Sequence, residues 1–338
     1  MQSEKIRVAV DAMGGDNAPD SQVRGAVLAA EERPGSLEVI LVGRKALIEK
    51  HLAKSGAELS NLSVVNADDV VTMEDTPSEA FKTKPESSLN IALNLQKDKK
   101  ADALISAGNT GAVLTFSTLK LGRIEGISRP TIGSIFPSWK DITMVIDVGA
   151  TVDCRPNNLL EYAVMGSVYM NYIHNIDNPR IGLLSIGEEK SKGNELTFEA
   201  YKLLENSGLN FIGNVEGRDI LKGTANVVVC DGFVGNVVLK LAESVLDLLK
   251  NKFRQFSEKS LWHKFRVALA YPTLKKIVQD FNYEEFGGVP LLGVNGVSII
   301  GHGKSTPLAI KNMIFKAEET VRKQVNSKIK KILETYNK

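Results

Sequence analysis

Ile6-Arg7-Val8-Ala9-Val10 leads without a break into Asp11-Ala12-Met13-Gly14-Gly15-Asp16-Asn17-Ala18-Pro19, and then into Asp20 to Glu32, where apolar residues recur three and four apart. A short β-branched strand, a polar glycine turn and a helix are the opening unit of an α/β layer. Gly14 and Gly15 lack a Cβ, so the turn can take φ > 0 and bring main-chain amides close to a bound group. Asp16 and Asn17 can turn back onto the backbone before Pro19 opens the helix. Ligands of open α/β sheets sit at the carboxyl ends of strands, which makes Asp11, Gly14, Gly15, Asp16 and Asn17 candidate substrate-binding residues. An ordinary glycine turn fits the same residues.

The rhythm continues along the chain. Strands are expected at Glu38 to Val42, Ala103 to Ile105, Thr131 to Phe136, Thr143 to Asp147, Arg180 to Leu184 and Val227 to Cys230. Helices are expected at Arg44 to Ser55, Ser87 to Asp98, Thr110 to Gly122, Asn158 to Tyr172 and Glu195 to Asn206. Such alternation predicts a largely parallel or mixed sheet layered between helices. Neither an internal repeat nor a long flexible linker interrupts it, so residues 1–338 are expected to form one α/β catalytic unit of one or two lobes.

Composition narrows the class. The 338 residues are 43% hydrophobic and 24% charged, with a formal net charge of +2, so bulk charge gives no reason to expect a nucleic-acid partner. Cys154 and Cys230 stand far apart, without a second ligand at metal spacing, and are expected to be reduced structural thiols. No metal and no organic cofactor is expected. Met1 to Lys5 do not resemble a signal peptide, which predicts a cytoplasmic protein. Even the apolar stretch from Val227 to Leu249 carries Asp231, Lys240, Glu243 and Asp247, so membrane contact is expected to be peripheral.

Four further turns can carry chemistry. Ser106-Ala107-Gly108-Asn109-Thr110-Gly111-Ala112 leads a strand into an apolar helix, and the free amides at such a helix start favour an anion, phosphate being the simplest. Gly108, Asn109, Thr110 and Gly111 are therefore candidate phosphate-binding residues, although Asn109 also fits a plain helix cap. In Ser185-Ile186-Gly187-Glu188-Glu189-Lys190-Ser191-Lys192-Gly193-Asn194-Glu195-Leu196, a lysine can neutralise phosphate or an oxyanion, and Asn194 can cap a helix or donate a hydrogen bond. A solvated charged loop is the plainer alternative. Cys230-Asp231-Gly232-Phe233-Val234-Gly235-Asn236 offers Asp231 to orient a lysine or cap a helix, and Asn236 to bind a carbonyl or phosphate oxygen. Gly301-His302-Gly303-Lys304-Ser305 is not a P-loop, because the first glycine of that pattern would fall on Ser298. His302 is nonetheless the histidine best placed for proton transfer.

One region breaks the rhythm. From Phe233 to Phe286 the chain reads as two long helical segments broken near Ser257 to Ser260, and residues 245–286 are expected to form a helical hairpin. Phe253, Phe256, Trp262, Phe265, Tyr271, Phe281, Tyr283 and Phe286 are more than a third of the chain's aromatic residues. Between Lys250 and Lys276 stand eight lysines or arginines against one acid, Glu258. A basic face with large apolar side chains suits an interfacial membrane helix, with Leu261, Trp262, Phe265 and Leu269 as lipid contacts. A hairpin that packs against a second subunit fits as well, and the two can coexist.

The string from Asp11 to Pro19 resembles the amino-terminal signature of the phosphate acyltransferases of bacterial phospholipid synthesis. The resemblance extends to Thr76-Pro77-Ser78-Glu79-Ala80, Lys84-Pro85-Glu86-Ser87-Ser88, the Ser106 to Ala112 turn, Lys192-Gly193-Asn194-Glu195-Leu196 and Asp231 to Asn236, and so to nearly the whole chain. It implies a three-layer α/β/α fold similar to phosphotransacetylase and the isocitrate or isopropylmalate dehydrogenases, and a homodimer. It also implies peripheral association with the inner face of the membrane beside a glycerol-3-phosphate acyltransferase, and transfer of a long-chain acyl group from acyl-acyl carrier protein to inorganic phosphate. Lys192, Asn194, Asp231, Asn236 and His302 are the expected catalytic residues. No GxSxG elbow, HExxH or G-x-G-x-x-G fingerprint points to hydrolase, zinc protease or dinucleotide chemistry. Two rivals remain: a small-acyl phosphotransacetylase using coenzyme A, and a non-catalytic, membrane-recruited binding protein.

Overall fold

The expected alternation is present in the computed structural model, which describes residues 5–56, 58–279 and 287–336. The first half runs β1 (Ile6–Asp11), α1 (Asp20–Glu32), β2 (Leu37–Gly43), α2 (Lys45–Ser55), β3 (Leu62–Asn66), α3 (Pro77–Thr83), α4 (Ser88–Lys97), β4 (Ala103–Ser106) and α5 (Thr110–Leu121). The antiparallel pair β5 (Thr131–Pro137) and β6 (Ile142–Ile146) follows. Next come α6 (Pro156–His174), β7 (Ile181–Leu184), α7 (Glu195–Glu205), β8 (Phe211–Val215), α8 (Gly217–Lys222) and β9 (Val227–Val229). The rest is α9 (Gly232–Ser257), α10 (Leu261–Gln279), β10 (Val289–Leu292), β11 (Val297–Ile300), α11 (Pro307–Arg322) and α12 (Val325–Tyr336).

All eleven strands join one sheet in the order β3-β2-β1-β4-β11-β10-β5-β6-β9-β7-β8. Alternate residues face opposite layers of helices. Val8, Val10, Ala103 and Ile105 pack under α1 and α11, while Met144, Ile146, Val227 and Val229 pack on the same face under α6 and α12. Ala9, Leu104, Val145 and Val228 face the other way, toward α4, α5 and the start of α9. The result is a three-layer α/β/α fold around a mixed, largely parallel sheet. The central strands are buried on both faces, which is why they read as continuous apolar runs rather than alternating ones.

Strand direction decides where the loops go. β1, β2, β3, β4 and β11 are mutually parallel, and β5 points the same way because it and β11 are both antiparallel to β10. The β5–β6 hairpin then reverses the chain, and β6, β9, β7 and β8 all run in the opposite sense. The carboxyl ends of the two halves therefore open on opposite rims of the sheet.

Helix α9 continues far beyond the layer that starts it. Its 26 residues span about 39 Å, and only Gly232 and Gly235 are buried. Val238, Leu239 and Ala242 rest partly against the core, whereas Val245, Leu248, Leu249, Phe253 and Phe256 are exposed. The break falls at Ser257 to Ser260, as the sequence predicts, and α10 begins with Leu261, Trp262, Phe265 and Leu269 at 86, 63, 54 and 66% exposure. Residues 280–286 of the expected hairpin, with Phe281, Tyr283 and Phe286, lie outside the described residues. No helix among the described residues is long and apolar enough to cross a membrane.

Candidate active site

The first rim, at the ends of β1, β4 and β11, is knotted to itself. The buried carboxylate of Asp11 accepts from Ser88 Oγ at 2.6 Å and from Ser106 Oγ at 2.7 Å, joining the turn after β1 to α4 and to β4. Burial pushes its pKa above the ordinary carboxylate value, and the serine hydroxyls oppose that shift. Gly14 allows this approach: a Cβ there would lie 2.5 Å from Asp11 Oδ2 and 2.9 Å from the Gly108 amide nitrogen. The Asp16 N–H donates to the Gly303 carbonyl at 2.8 Å, and the Gly301 N–H to the Ser106 carbonyl at 2.8 Å, so the His302 turn locks onto both neighbours.

Asn109 caps α5 by accepting from the Ala112 N–H at 3.1 Å. Its amide donates to the Thr72, Met73 and Asp75 carbonyls at 3.3, 3.2 and 3.1 Å, so both ends of the side chain have internal partners. The expectation that Asp11 and Asn109 hold substrate meets this physical obstacle. Asp16, Asn17 and Thr110 are exposed around the knot, with Gly15 and Gly111 half-buried. The exposed His302 accepts from Lys304 N–H through Nδ1 and from Ser305 through its carbonyl.

The second rim lies at the ends of β6, β7 and β9. Asp231 is the N-cap of α9, its Oδ1 accepting from the Val234 N–H at 2.9 Å. Asn194 is the N-cap of α7 and exchanges bonds with Thr197, accepting from its N–H at 3.0 Å and donating its own N–H to Oγ1 at 2.8 Å. Ser185 Oγ donates to the Lys192 carbonyl at 3.2 Å and closes the glycine loop. The Lys192 ammonium, Asn194 Nδ2 and the Asn236 amide meet no acceptor among the described residues, and all three side chains are exposed. These are donors held in place with their bonding capacity unused.

Asp147 supports this rim and was not singled out by its sequence position. It is fully buried at the end of β6; its Oδ1 accepts from the Gly149 and Ala150 amides at 3.1 and 2.9 Å, and its Oδ2 from Thr151 at 2.7 Å. Burial pushes its carboxyl above the ordinary range while the backbone donors pull it down. The first turn of α9 lies against the Asp147 carbonyl oxygen, and a Cβ on Gly235 would drive straight into it. Asn236, one residue on, packs its amide over Gly149. The signal in the sequence was the pattern shared with Asp11 and Asp231, an acid at a strand end with glycine close behind.

Between these elements lies a cavity of about 290 Å³, lined by Leu159, Leu183, Leu184, Leu196 and Val234, with Ser185, Asn194, Thr197 and Asp231 as its polar members. Cys230 is also part of its wall. Cys154 is half-buried close by, with its thiol pushed up to about 11 chiefly by burial, and the buried Cys230 is pushed up for the same reason. No group of three or more His, Cys, Asp or Glu side chains among the described residues could hold a metal ion.

The structure thus brings Lys192, Asn194, Asp231 and Asn236 to one rim and leaves Asp11 to Asn17, Gly108 to Gly111 and His302 on the other. Strands β4 and β6 are four strand spacings apart, about 19 Å, and their ends point opposite ways. A single phosphate gripped by both Gly108 to Gly111 and Lys192, or a proton passed between Asp231 and His302, does not assemble within one chain. The reason lies in the short link between β5 and β6, which is too short for a parallel crossover and makes the chain reverse direction there.

Known proteins bear on this geometry in two ways. A phosphotransacetylase from Streptococcus pyogenes superposes with a TM-score of 0.63 at 18% identity over 95% of both chains, and one from Staphylococcus aureus with 0.58 at 15% over 94% of both. The fold is therefore that of the phosphotransacetylases. The sequence model of the family described as "Fatty acid synthesis protein" matches residues 6–328. Proteins named phosphate acyltransferase are 48% identical in Dictyoglomus turgidum (98% of both chains) and 46% identical in Chlorobaculum parvum (97% of this chain, 99% of the relative). The chain belongs to this phosphate acyltransferase family.

Proposed function

We propose that this protein transfers a long-chain fatty acyl group from acyl-acyl carrier protein to inorganic phosphate, releasing acyl phosphate and free carrier protein for phospholipid synthesis. The observation that carries the reading is the set of unused donors on Lys192, Asn194 and Asn236 at one rim, where Asn194 also lines an apolar cavity. That combination suits a greasy acyl group whose reacting end becomes anionic. An acyl-enzyme on either cysteine is disfavoured: at neutral pH a thiol at about 11 is ionised in only about one molecule in ten thousand.

Inorganic phosphate needs no such intermediate. One of its oxygens attacks the thioester carbonyl carbon, the C–S bond breaks, and the carrier thiolate leaves and takes a proton from solvent. Lys192 offsets the charge of phosphate, and the Asn194 and Asn236 amides hold the carbonyl oxygen as it becomes negative. Alignment of two bound reactants supplies up to about 7–11 kcal/mol, and one well-placed oxyanion donor about 3–4 kcal/mol. Asp231, fixed as a helix cap, keeps Asn236 in register. The first rim is assigned to holding the sheet ends together.

The hairpin gives the product somewhere to go. We assign the exposed apolar stripe of α9 to a homodimer contact, and Leu261, Trp262, Phe265 and Leu269 to an anionic membrane, where a glycerol-3-phosphate acyltransferase would consume the labile acyl phosphate.

The decisive experiment incubates purified protein with long-chain acyl-acyl carrier protein, with and without phosphate, and traps acyl phosphate with hydroxylamine. Phosphate-dependent hydroxamate supports the reading. Equal turnover of acetyl-coenzyme A would favour the small-acyl phosphotransacetylase, and binding without thiol release would favour a non-catalytic role.

A further inference from the structure

The cavity beside Asn194 and Asp231 has a direction. Its polar atoms gather where α7 and α9 begin, and the opposite wall is made by Leu159, near the start of α6, and Leu183 of β7, both buried in the core. Ile186 belongs to the same cavity yet is 81% exposed, so the apolar track runs out to the surface at the loop that carries Lys192. Val234, 38% exposed at the start of α9, continues that track, so the apolar lining is open to a ligand entering from solvent. The cavity's 290 Å³ corresponds to on the order of ten waters at about 30 Å³ each, and so to a comparable number of methylenes.

We propose that this cavity is the acyl-chain site, with the thioester carbon at Asn194 and the methyl end against Leu159 and Leu183. The inference rests on the acyl-transfer reading above and adds to it which side chains measure the tail. Leu159 and Leu183 sit within close-packed core and cannot swing aside, so the floor is fixed. Leu196, in the first turn of α7 and only partly buried, forms a side wall where bulk can be added without disturbing that floor.

Two variants test the assignment. Leu196→Trp narrows the cavity, and Leu159→Ala deepens its floor. With a series of saturated acyl-acyl carrier proteins, Leu196→Trp is expected to lower kcat/KM for the longest chains at least about tenfold more than for the shortest. Leu159→Ala is expected to move the optimum toward longer chains by about two methylenes. An equal change across the whole series overturns the assignment, since it would place the carrier's prosthetic arm, not the tail, in the cavity. Displacement of a fluorescent fatty-acid probe by palmitate separates this test from the reaction itself. Weaker palmitate binding in Leu196→Trp supports the site even if no acyl phosphate forms, whereas unchanged binding overturns it even if the reaction is confirmed.

Discussion

The two rims carry the same kinds of residue and use them in opposite ways. On the first, Asp11, Ser88, Ser106 and Asn109 satisfy one another, and the main chains of Asp16 and Gly303 close the knot. On the second, caps and buried Asp147 fix the backbone, but Lys192, Asn194 and Asn236 keep donors open to a ligand. A glycine and asparagine turn is thus a way to shape backbone, and whether it also binds depends on what its side chains are left with. Variants on the first rim should move stability, and variants on the second should move activity.

The largest expected effect is at Gly235, where the contrast can be broken. Because any Cβ there meets the Asp147 carbonyl, Gly235→Ala should lose about 4 kcal/mol of stability, read from urea unfolding. Wild-type stability in that variant would show that the first turn of α9 does not pack on the Asp147 carbonyl. Next comes Lys192→Ala, with no fold contact at its ammonium to lose. It should lower phosphate-dependent acyl transfer about 100- to 1,000-fold, equivalent to roughly 3–4 kcal/mol, with an unchanged unfolding midpoint. Activity unaffected by the loss of that charge would remove Lys192 from the site.

Asn109→Ala is the matching change on the first rim. It deletes a helix cap and the bonds to the 72–75 loop, and should lower stability by about 1–2 kcal/mol. The phosphate KM should stay put in the fraction that remains folded. A selective rise in that KM would return Asn109 to the list of substrate ligands. Membrane contact stands apart from both rims: Trp262→Asp with Phe265→Asp should abolish sedimentation with anionic vesicles while leaving the unfolding midpoint of the α/β body in place.

Much of this fold is legible in the sequence. Helix α1 runs from Asp20 to Glu32 as its spacing predicts, and β1, β4 and β5 differ from expectation only by a residue at their ends. Strands β3, β8, β10 and β11 were not anticipated. β3 and β8 expose much of one face at the sheet's margins and lack a continuous apolar run, while β10 and β11 are four residues each, wedged between glycines. The residues of the second rim could be read because caps and glycines have strong local signatures. Their separation from Asn109 and His302 could not be read from any one motif, since it depends on strand direction, a property of pairs. Asp147 shares the acid-then-glycine pattern of Asp11 and Asp231, but its partners are backbone amides, so no second residue type in the sequence points to it.

The smallest effect is the most specific probe of the first knot. Burial raises the pKa of Asp11 from an ordinary value of 3.8, so the folded protein retains a proton that the unfolded chain gives up. The stability from that retained proton is fully present below 3.8 and is lost as pH rises through the higher folded value. Asp11→Asn cannot ionise. An asparagine at this position can accept from one serine and donate to the other, because both hydroxyls can rotate. The urea midpoint of Asp11→Asn should therefore gain on that of the wild type as pH rises above about 4. A difference that stays level, or shrinks with rising pH, would mean that the two serines and the Met13 and Gly14 amides outweigh burial, making the knot an ion-stabilising nest rather than a buried acid held against its preference.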